Sequence, residues 1–242
     1  MQKQGIAIPQ HTALELIQSC SRRKDLVSAQ EIYSILSKDG LTLIPIIHNH
    51  IIRMFAACGS LTSATEAFHE VRKQDAYAWN AIISAHAKLG NIDTTFDMYN
   101  NMRSKGIAPS VVTFLCVLKA FYGIGSVGKG RAVHDDIIRS GFARHLALSN
   151  TLIDMYAKYG TLSRAQEVFN ELHIKDVVSW NILIAGYAEF GSGEDALSFF
   201  ERMQHDGLSP NVATFLGVLK ACGRITELGK GKEIHLEIEQ DG

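Results

Sequence analysis

Cysteine is scarce in this sequence. Four cysteines, Cys20, Cys58, Cys116 and Cys222, are spread over 242 residues with no C-x-x-C spacing among them. This spacing argues against both a zinc site and a disulfide framework, and it fits a reducing compartment. We therefore expect all four to be small residues of the core, and we predict no metal and no cofactor.

Long apolar runs are also missing. Asn, His, Lys or Gly interrupts each run well before the roughly 18 residues that a membrane-spanning helix needs. Hydrophobic residues still make up 46% of the chain, and the mean hydropathy is +0.03. This composition is typical of a soluble globular protein with a sizeable core, so we expect no contact with a membrane.

An excess of one charge is absent as well. The 24 Lys and Arg residues nearly balance the 25 Asp and Glu residues, which leaves a formal net charge of -1. Charge therefore gives no overall signal for nucleic acid, although a basic stripe on one face stays possible.

Motifs of catalysis are missing too. No glycine-rich phosphate loop, nucleophile elbow or supported carboxylate pair occurs. His235-Leu236-Glu237 spells the H-x-E of zinc deaminases, but no Pro-Cys-x-x-Cys follows it. We predict that this chain is not an enzyme.

The sequence repeats itself every 101 residues. Pairs at this spacing are Trp79 and Trp180, Asn80 and Asn181, Asn49 and Asn150, Asp75 and Asp176, and Pro109 and Pro210. Residues 111–141 match residues 212–242 at 15 of 31 positions. Each 101-residue block holds three related units of 35, 31 and 35 residues. Such self-similarity indicates a repeat architecture.

Each unit predicts two amphipathic helices. Apolar residues recur at i, i+3, i+4 and i+7 in both helices of one unit: Trp180, Leu183, Ile184 and Tyr187, then Ala196, Phe199, Phe200 and Met203. Between the helices come Gly59-Ser60, Gly90-Asn91, Gly160-Thr161 and Gly191-Ser192. We expect each glycine to take the left-handed conformation that ends a helix, and the next residue to cap the following helix.

Stacking of these helix pairs decides the predicted fold. A short helix pair cannot bury its apolar faces alone, so neighbouring pairs must stack around one continuous core. The predicted fold class is all-α, a right-handed α-solenoid of helix-turn-helix repeats. The predicted units are residues 10–44, 45–75, 76–110, 111–145, 146–176, 177–211 and 212–242, the last incomplete, preceded by the tail of a repeat at residues 1–9.

Three methionines follow the same 101-residue spacing. Met1, Met102 and Met203 are 101 residues apart, so Met1 falls where the repeat has a methionine of its second helix. We expect the chain to begin inside a repeat as a piece of a longer array, which would explain why it shows no transit peptide. Uncapped end repeats would then favour self-association.

These units resemble pentatricopeptide repeats over essentially the whole chain. Their alternation resembles the plant PLS subclass, in which long (L), short (S) and standard (P) motifs follow one another. The P motif is VVSWNILIAGYAEFGSGEDALSFFERMQHDGLSPN and the S motif is LALSNTLIDMYAKYGTLSRAQEVFNELHIKD. The resemblance assigns L repeats to 10–44, 111–145 and 212–242, S repeats to 45–75 and 146–176, and P repeats to 76–110 and 177–211.

The resemblance implies binding of single-stranded RNA, one base per repeat. Base reading would use the fifth and the last residue of a repeat, which pair Asn49 with Asp75, Asn80 with Ser110, Asn150 with Asp176, and Asn181 with Asn211. By family pairing, Asn with Asp favours uridine, Asn with Ser favours cytidine, and Asn with Asn accepts either pyrimidine. The L repeats carry Leu14 with Ile44, Leu115 with His145, and Leu216, and should read weakly or not at all. The implied footprint is 5′-N-U-C-N-U-Y-N-3′, where N is unread and Y is either pyrimidine.

Two further positions follow from the resemblance. The second residue of each repeat would sandwich neighbouring bases, which gives Ile46, Tyr77, Val112, Ala147, Val178 and Ala213. Lysine at the thirteenth position would contact phosphate, which gives Lys88 and Lys158, whereas Ala57 and Glu189 depart from the pattern.

Simpler explanations exist for the same residues. The four asparagines could cap helices locally, and Asp75 and Asp176 could act as N-caps as well as base contacts. Trp79 and Trp180 belong to the apolar stripe, so we expect core packing. His134 and His235 share a repeat position with Tyr33, which favours packing over catalysis because tyrosine does not replace an acid-base histidine.

We therefore expect a sequence-specific RNA-binding module for organellar RNA processing, most often C-to-U editing, in a mitochondrion or chloroplast. The implied partners are organellar single-stranded RNA and editing cofactor proteins on the L repeats. The alternative is a helical scaffold whose concave face binds a peptide or helix of another protein.

Overall fold

The computed structural model describes residues 8–71, 74–121, 127–226 and 228–241, and in these ranges it contains α-helices, one short 3-10 helix and no strand. Most of the predicted tail unit, residues 1–7, lies outside the described residues. The chain divides into two compact units, residues 1–120 and 121–242.

Seven helices belong to the described part of the first unit. They are α1 (Gln10–Arg23), α2 (Leu26–Lys38), α3 (Pro45–Ala57), α4 (Leu61–Glu70), α5 (Ala76–Lys88), α6 (Ile92–Ser104) and α7 (Val111–Ala120), with a 3-10 turn at Leu41–Leu43. The odd-numbered helices pack in series, α1 on α3, α3 on α5 and α5 on α7. Each even-numbered helix packs against the odd-numbered helix before it.

The described part of the second unit follows the same plan. Its helices are α8 (Val127–Arg139), α9 (Leu146–Lys158), α10 (Leu162–Glu171), α11 (Val177–Phe190), α12 (Gly193–His205), α13 (Val212–Ile225) and α14 (Leu228–Asp241). Helix α11 packs between α9 and α13, and α10 and α12 pack on their neighbours along the chain. The two-helix periodicity that the sequence predicts is therefore present in both units.

Tryptophan anchors the packing in each unit. Trp79 and Trp180 are only 2% and 1% exposed, which confirms that they belong to the core. Each packs edge-on against a phenylalanine of the preceding helix, Phe68 and Phe169, with ring centroids 4.7 Å apart in both cases. A large aromatic at the centre of each helix junction buries much apolar surface, so we expect truncation of either to cost about 3–5 kcal/mol.

Helix ends agree with the sequence prediction at some junctions and differ at others. Gly59, Gly90 and Gly160 have φ of 82°, 75° and 69°, the left-handed conformation expected of them. Ser60 and Ser192 cap the next helix through their hydroxyl groups. The predicted caps at Asn91 and Thr161 are wrong, since neither side chain caps its helix. The Thr161 hydroxyl instead donates to the Tyr156 carbonyl oxygen.

Gly191 is a further correction. Its φ is -116°, so the expected left-handed turn is absent there. A Cβ on Gly191 would come within 2.7 Å of Leu162 Cδ1 and 2.9 Å of Tyr187 Cδ1. Glycine suits this position because a Cβ would force Leu162 or Tyr187 to shift.

The cysteines and histidines divide between core and surface. Cys20 and Cys222 are buried as expected, whereas Cys58 and Cys116 are partly exposed, and none of the four is in a disulfide. The His134 ring nitrogen lies 3.0 Å from the Tyr156 hydroxyl, and Tyr33 packs edge-on against Phe55 at the equivalent place. Packing therefore explains the position that His134 and Tyr33 share, while the side chain of Glu237 lies outside the described residues.

Candidate nucleic-acid interface

Four asparagines occupy the same place in four odd-numbered helices. Asn49, Asn80, Asn150 and Asn181 are each the fifth residue of α3, α5, α9 and α11. The N-caps of these helices are other residues: Ile44, Asp75, His145 and Asp176. Local capping is therefore ruled out as the role of the asparagines.

Each asparagine belongs to what we call a junction. A junction consists of the fifth residue of an odd-numbered helix, the residue preceding the next odd-numbered helix, and the third residue of that next helix. The four asparagine junctions are Asn49–Asp75–Ala78, Asn80–Ser110–Thr113, Asn150–Asp176–Ser179 and Asn181–Asn211–Thr214. The first two residues of each are the pair expected to read a base.

The Asn181 junction is the most completely bonded. Asn211 Oδ1 accepts the backbone N–H of Thr214 at 3.1 Å, and Thr214 Oγ1 accepts the backbone N–H of Asn211 at 3.0 Å, which forms a capping box. Asn181 Nδ2 donates to Asn211 Oδ1 at 3.0 Å, and the Thr214 hydroxyl donates to Asn181 Oδ1 at 2.6 Å. The helix cap thus extends into a bond with the preceding helix.

The Asn150 junction repeats this arrangement with a carboxylate. Asn150 Nδ2 donates to Asp176 Oδ1 at 3.2 Å, and the Ser179 hydroxyl donates to Asn150 Oδ1 at 2.7 Å. Burial alone would raise the pKa of Asp176, but hydrogen bonds from Ser179 and Asn150 outweigh it and lower the pKa. Asn150 is only 9% exposed, the least accessible of the four asparagines.

The Asn80 junction has the same connections with a weaker contact. The Thr113 hydroxyl donates to Asn80 Oδ1 at 2.6 Å, while Asn80 Nδ2 lies 3.5 Å from Ser110 Oγ. Ser110 Oγ also accepts the backbone N–H of Thr113 at 3.3 Å. The serine therefore caps α7 and borders the asparagine amide at once.

The Asn49 junction differs. Asp75 caps α5 by accepting the Ala78 backbone N–H at 2.8 Å, but no hydrogen bond of the described residues joins Asn49 to Asp75. The third residue of α5 is Ala78, which has no hydroxyl to donate. This predicted pair is therefore not brought together by a direct bond.

The remaining predicted contact positions are solvent-accessible. All six second residues are exposed: Ile46, Tyr77, Val112, Ala147, Val178 and Ala213. Tyr77 is the most open of the large ones, at 75% exposure. Lys88 and Lys158 are exposed too, but Lys158 forms an ion pair with Asp154 at 2.8 Å, so part of its charge is already compensated. Glu189, where the pattern has lysine, pairs with Lys220.

In the three units expected to be long repeats, a leucine stands where the other units have asparagine. Leu14, Ile44 and Leu115 are partly exposed, while His145 and Leu216 are exposed. Leu14, Leu115 and Leu216 cannot form the amide-centred junction because leucine has neither a donor nor an acceptor.

Sequence reasoning missed the third member of each junction. Thr113, Ser179 and Thr214 are fully buried, and each links two successive odd-numbered helices. The available signal was a Ser or Thr three residues after a capping Ser, Asp or Asn, which is the spacing of a capping box. In the described part of the chain, no cluster of three or more His, Cys, Asp or Glu could hold a metal ion, and no helix has the length and apolarity to cross a bilayer.

Comparison with known proteins identifies the repeat. Residues 1–183 match the family described as the pentacotripeptide-repeat region of PRORP, and residues 175–224 match the PPR repeat family. A putative pentatricopeptide repeat-containing protein of Arabidopsis thaliana is 32% identical over 98% of this chain and 44% of its own length. Another, named as mitochondrial, is 32% identical over 97% of this chain and 28% of its own. A third, named as chloroplastic, is 36% identical over 78% of this chain and 36% of its own.

These relatives are longer proteins, and this chain spans less than half of the length of each. A solved structure also matches. The pentatricopeptide repeat protein PPR10, crystallised in complex with an 18-nt psaJ RNA element, superposes with a TM-score of 0.79 at 24% identity, over 98% of this chain and 36% of PPR10. This likeness confirms the expected α-solenoid fold. The chain belongs to the pentatricopeptide repeat family.

Proposed function

We propose that this chain binds single-stranded RNA and reads one base with each short or standard repeat. The observation that carries the proposal is the contact between the fifth and last residues of three repeats, Asn80 with Ser110, Asn150 with Asp176, and Asn181 with Asn211. Two polar side chains held together can engage one base edge jointly, which a pair of separate residues cannot do reliably.

The chemistry of the amide supports this use. An asparagine Nδ2 carries two hydrogens, and at these junctions one is directed at the last residue of the repeat. The second hydrogen remains for a base, together with Oδ2 of Asp176 or the Nδ2 hydrogens of Asn211. The edge of a pyrimidine base offers both hydrogen-bond acceptors and donors, with which these polar groups can pair.

Exposed apolar residues beside the junctions supply a stacking surface. Tyr77, Val112 and Val178 are each the second residue of a helix, and each is more than half exposed. Unpaired bases gain affinity from contact of their flat faces with such side chains. A polar asparagine pair flanked by exposed apolar side chains therefore suits an RNA base better than a peptide side chain.

The repeat boundaries belong to this proposal. We assign the units 10–44, 45–75, 76–110, 111–145, 146–176, 177–211 and 212–242, each with one odd-numbered helix that carries the fifth residue. Leu14, Leu115 and Leu216 then mark three long repeats that read no base and leave room for editing cofactor proteins. The implied footprint is 5′-N-U-C-N-U-Y-N-3′.

We also propose a cellular role for this chain. Relatives named as mitochondrial and chloroplastic support an organellar location, and the PPR10 complex with RNA supports RNA as the ligand. The alternation of long, short and standard repeats favours the PLS subclass, whose members select sites for C-to-U editing. We propose that this chain is the site-recognition part of such a factor and contributes no catalysis.

Binding to two matched RNAs tests the proposal. One RNA carries U, C, U and a pyrimidine at the four read positions, and the other carries purines there. We expect the first to bind at least tenfold more tightly, since each lost hydrogen-bonded match costs about 0.5–1.5 kcal/mol. The salt slope should be shallow, about -1.4, if Lys88 and Lys158 are the two phosphate contacts.

A matched variant controls for unspecific effects. Asn181→Ala removes a proposed reader, while Leu115→Ala alters the same helix position in a repeat proposed to read nothing. Only the first should reduce discrimination opposite its repeat. Equal affinity for the two RNAs, or no binding at low salt, would contradict base reading and favour a protein-binding scaffold.

A further inference from the structure

A hydroxyl group completes three of the four asparagine junctions. Thr113, Ser179 and Thr214 donate from their hydroxyls to the Oδ1 atoms of Asn80, Asn150 and Asn181, at 2.6, 2.7 and 2.6 Å. Each hydroxyl belongs to the repeat after the asparagine it contacts. These oxygens are buried between two helices, where a short hydrogen bond is protected from competing water.

The orientation of the Asn181 amide follows from the backbone. The Thr214 N–H can only donate, so it fixes Asn211 with Oδ1 toward the helix start. Asn211 Oδ1 can only accept, so Asn181 must direct Nδ2 toward it. Thr214 Oγ1 accepts the Asn211 N–H, and its own hydrogen is nearest to Asn181 Oδ1 at 2.6 Å, with Asn211 Oδ1 a more distant acceptor at 3.2 Å. This arrangement of donors and acceptors thus permits a single orientation of the Asn181 amide.

The Asn150 amide is oriented by a carboxylate. Asp176 has a lowered pKa and accepts only, so Asn150 must face it with Nδ2. Ser179 Oγ receives the Asp176 backbone N–H at 3.4 Å, and its own hydrogen has two acceptors, Asn150 Oδ1 at 2.7 Å and Asp176 Oδ1 at 2.8 Å. Two unrelated capping residues, Asn211 and Asp176, therefore give the same amide orientation when a hydroxyl follows three residues later.

We propose that Thr113, Ser179 and Thr214 are positioning residues for base recognition, each holding the asparagine of the preceding repeat so that its second Nδ2 hydrogen faces the base. This inference rests on the proposed function. A held amide presents a donor and cannot exchange it for an acceptor by rotation. Discrimination between bases therefore depends on a residue that does not touch the RNA.

The Asn49 junction provides the natural comparison. Ala78 replaces the hydroxyl residue, and Asn49 has no bond to Asp75 among the described residues. In the described part of the chain, no hydrogen bond to Asp75 or to a hydroxyl at position 78 fixes which end of the Asn49 amide faces a base. Repeat 45–75 should accordingly discriminate less than repeat 146–176, although both carry the same Asn and Asp pair.

Removal and restoration of a hydroxyl test the proposal. Thr214→Val keeps the shape and removes the hydroxyl, Thr214→Ser keeps the hydroxyl, and Ala78→Ser adds one to the Asn49 junction. The readout is the dissociation constant for four RNAs that differ only in the base opposite repeat 177–211, and for a second set opposite repeat 45–75. Thermal stability is measured alongside.

We expect Thr214→Val to lose roughly three- to tenfold of the pyrimidine preference opposite repeat 177–211, which contains Asn181, and at no other repeat. Thr214→Ser should retain that preference, and Ala78→Ser should raise the uridine preference opposite repeat 45–75 by a similar factor. An unchanged preference in Thr214→Val overturns the positioning role. A loss of preference that is equal at every repeat and parallels the loss of thermal stability overturns it as well.

If the proposed function itself is wrong, the binding experiment gives a different result. Wild-type protein that does not discriminate between the RNAs refutes base reading itself. Side-chain amide NMR of the RNA-free protein tests the held amide independently. We expect the Asn181 amide to be rigid in the wild type and mobile in Thr214→Val, and a mobile wild-type amide overturns the inference whatever the RNA result.

Discussion

The Tyr187 hydroxyl donates a hydrogen bond to Gln166 Oε1 at 2.8 Å, which joins α11 to α10 across the second unit. The residues 101 positions earlier, His86 and Thr65, line a cleft of about 770 Å³ in the first unit. His86 is buried, and neither ring nitrogen has a hydrogen-bond partner among the residues that the structure describes. The same helix position is thus satisfied in one unit and unsatisfied in the other.

His86→Tyr should stabilise the protein. The change fills part of the cleft and removes two buried nitrogens that lack partners, each of which costs about 1–3 kcal/mol. We expect a gain of about 1–2 kcal/mol in urea unfolding, after the new side chain is ordered. Tyr187→His is the matched opposite change and should destabilise, because it leaves Gln166 without its donor. Loss of stability in His86→Tyr would refute this view of the cleft.

Acid should weaken the folded state through the same histidine. Burial lowers the pKa of His86 below its ordinary value, so the folded protein binds this proton less tightly than the unfolded chain. Its stability contribution is complete above about pH 6.5 and decreases as the pH falls below that value. His48, His50 and His134 act in the same direction because burial lowers the pKa of each.

Urea unfolding between pH 7.5 and 5 checks this expectation. The free energy of unfolding should fall with acid in the wild type and fall less steeply in His86→Tyr. Residues Glu66, His69 and Glu70 share the cleft with His86 and remain in both proteins. Identical slopes for the two proteins would exclude His86 as a source of the acid sensitivity.

Asp176→Asn separates capping from base reading. Asparagine is as good an N-cap as aspartate, and Asn211 already caps α13 in this way, so thermal stability should change by less than about 0.5 kcal/mol. The pair opposite that base becomes Asn with Asn, and the preference should relax from uridine to either pyrimidine. Binding to RNAs with U, C or A at this position measures it. A retained uridine preference would remove Asp176 from the reading pair.

Gly191→Ala should destabilise for steric reasons. The added Cβ would meet Leu162 Cδ1 and Tyr187 Cδ1 inside normal contact distance, and such overpacking typically costs about 1–3 kcal/mol. Gly128→Ala in α8 is the control, since a Cβ there meets no atom within 4 Å. Alanine favours helix, so the control should be neutral or more stable by up to about 1 kcal/mol. Equal effects of the two changes would refute the close approach at Gly191.

The helices and the buried tryptophans could be predicted from sequence because both follow from local periodicity. Trp79 and Trp180 belong to an apolar stripe that only a packed helix satisfies. The left-handed turns at Gly59 and Gly160 are also local, since glycine at a helix end adopts that conformation without strain.

Features that depend on a second helix escaped prediction. Whether Thr161 caps α10 depends on competition with the Tyr156 carbonyl, which its hydroxyl prefers. Gly191 depends on a neighbour 29 residues earlier, and the Thr214 hydroxyl on an amide in the preceding odd-numbered helix. The asparagine pairs were expected from a family pattern, whereas the hydroxyls that hold them required the packed geometry.

An exchange of reading pairs tests the central claim most directly. The double variant Ser110→Asp with Asp176→Ser converts the Asn80 pair to Asn with Asp and the Asn150 pair to Asn with Ser. Both new residues keep an oxygen that can cap the next helix, so the fold should be retained. The measurement is the affinity of each protein for two RNAs, 5′-N-U-C-N-U-Y-N-3′ and 5′-N-U-U-N-C-Y-N-3′. We predict that the wild type prefers the first RNA and the double variant the second, while the same preference in both proteins would contradict base reading by these pairs.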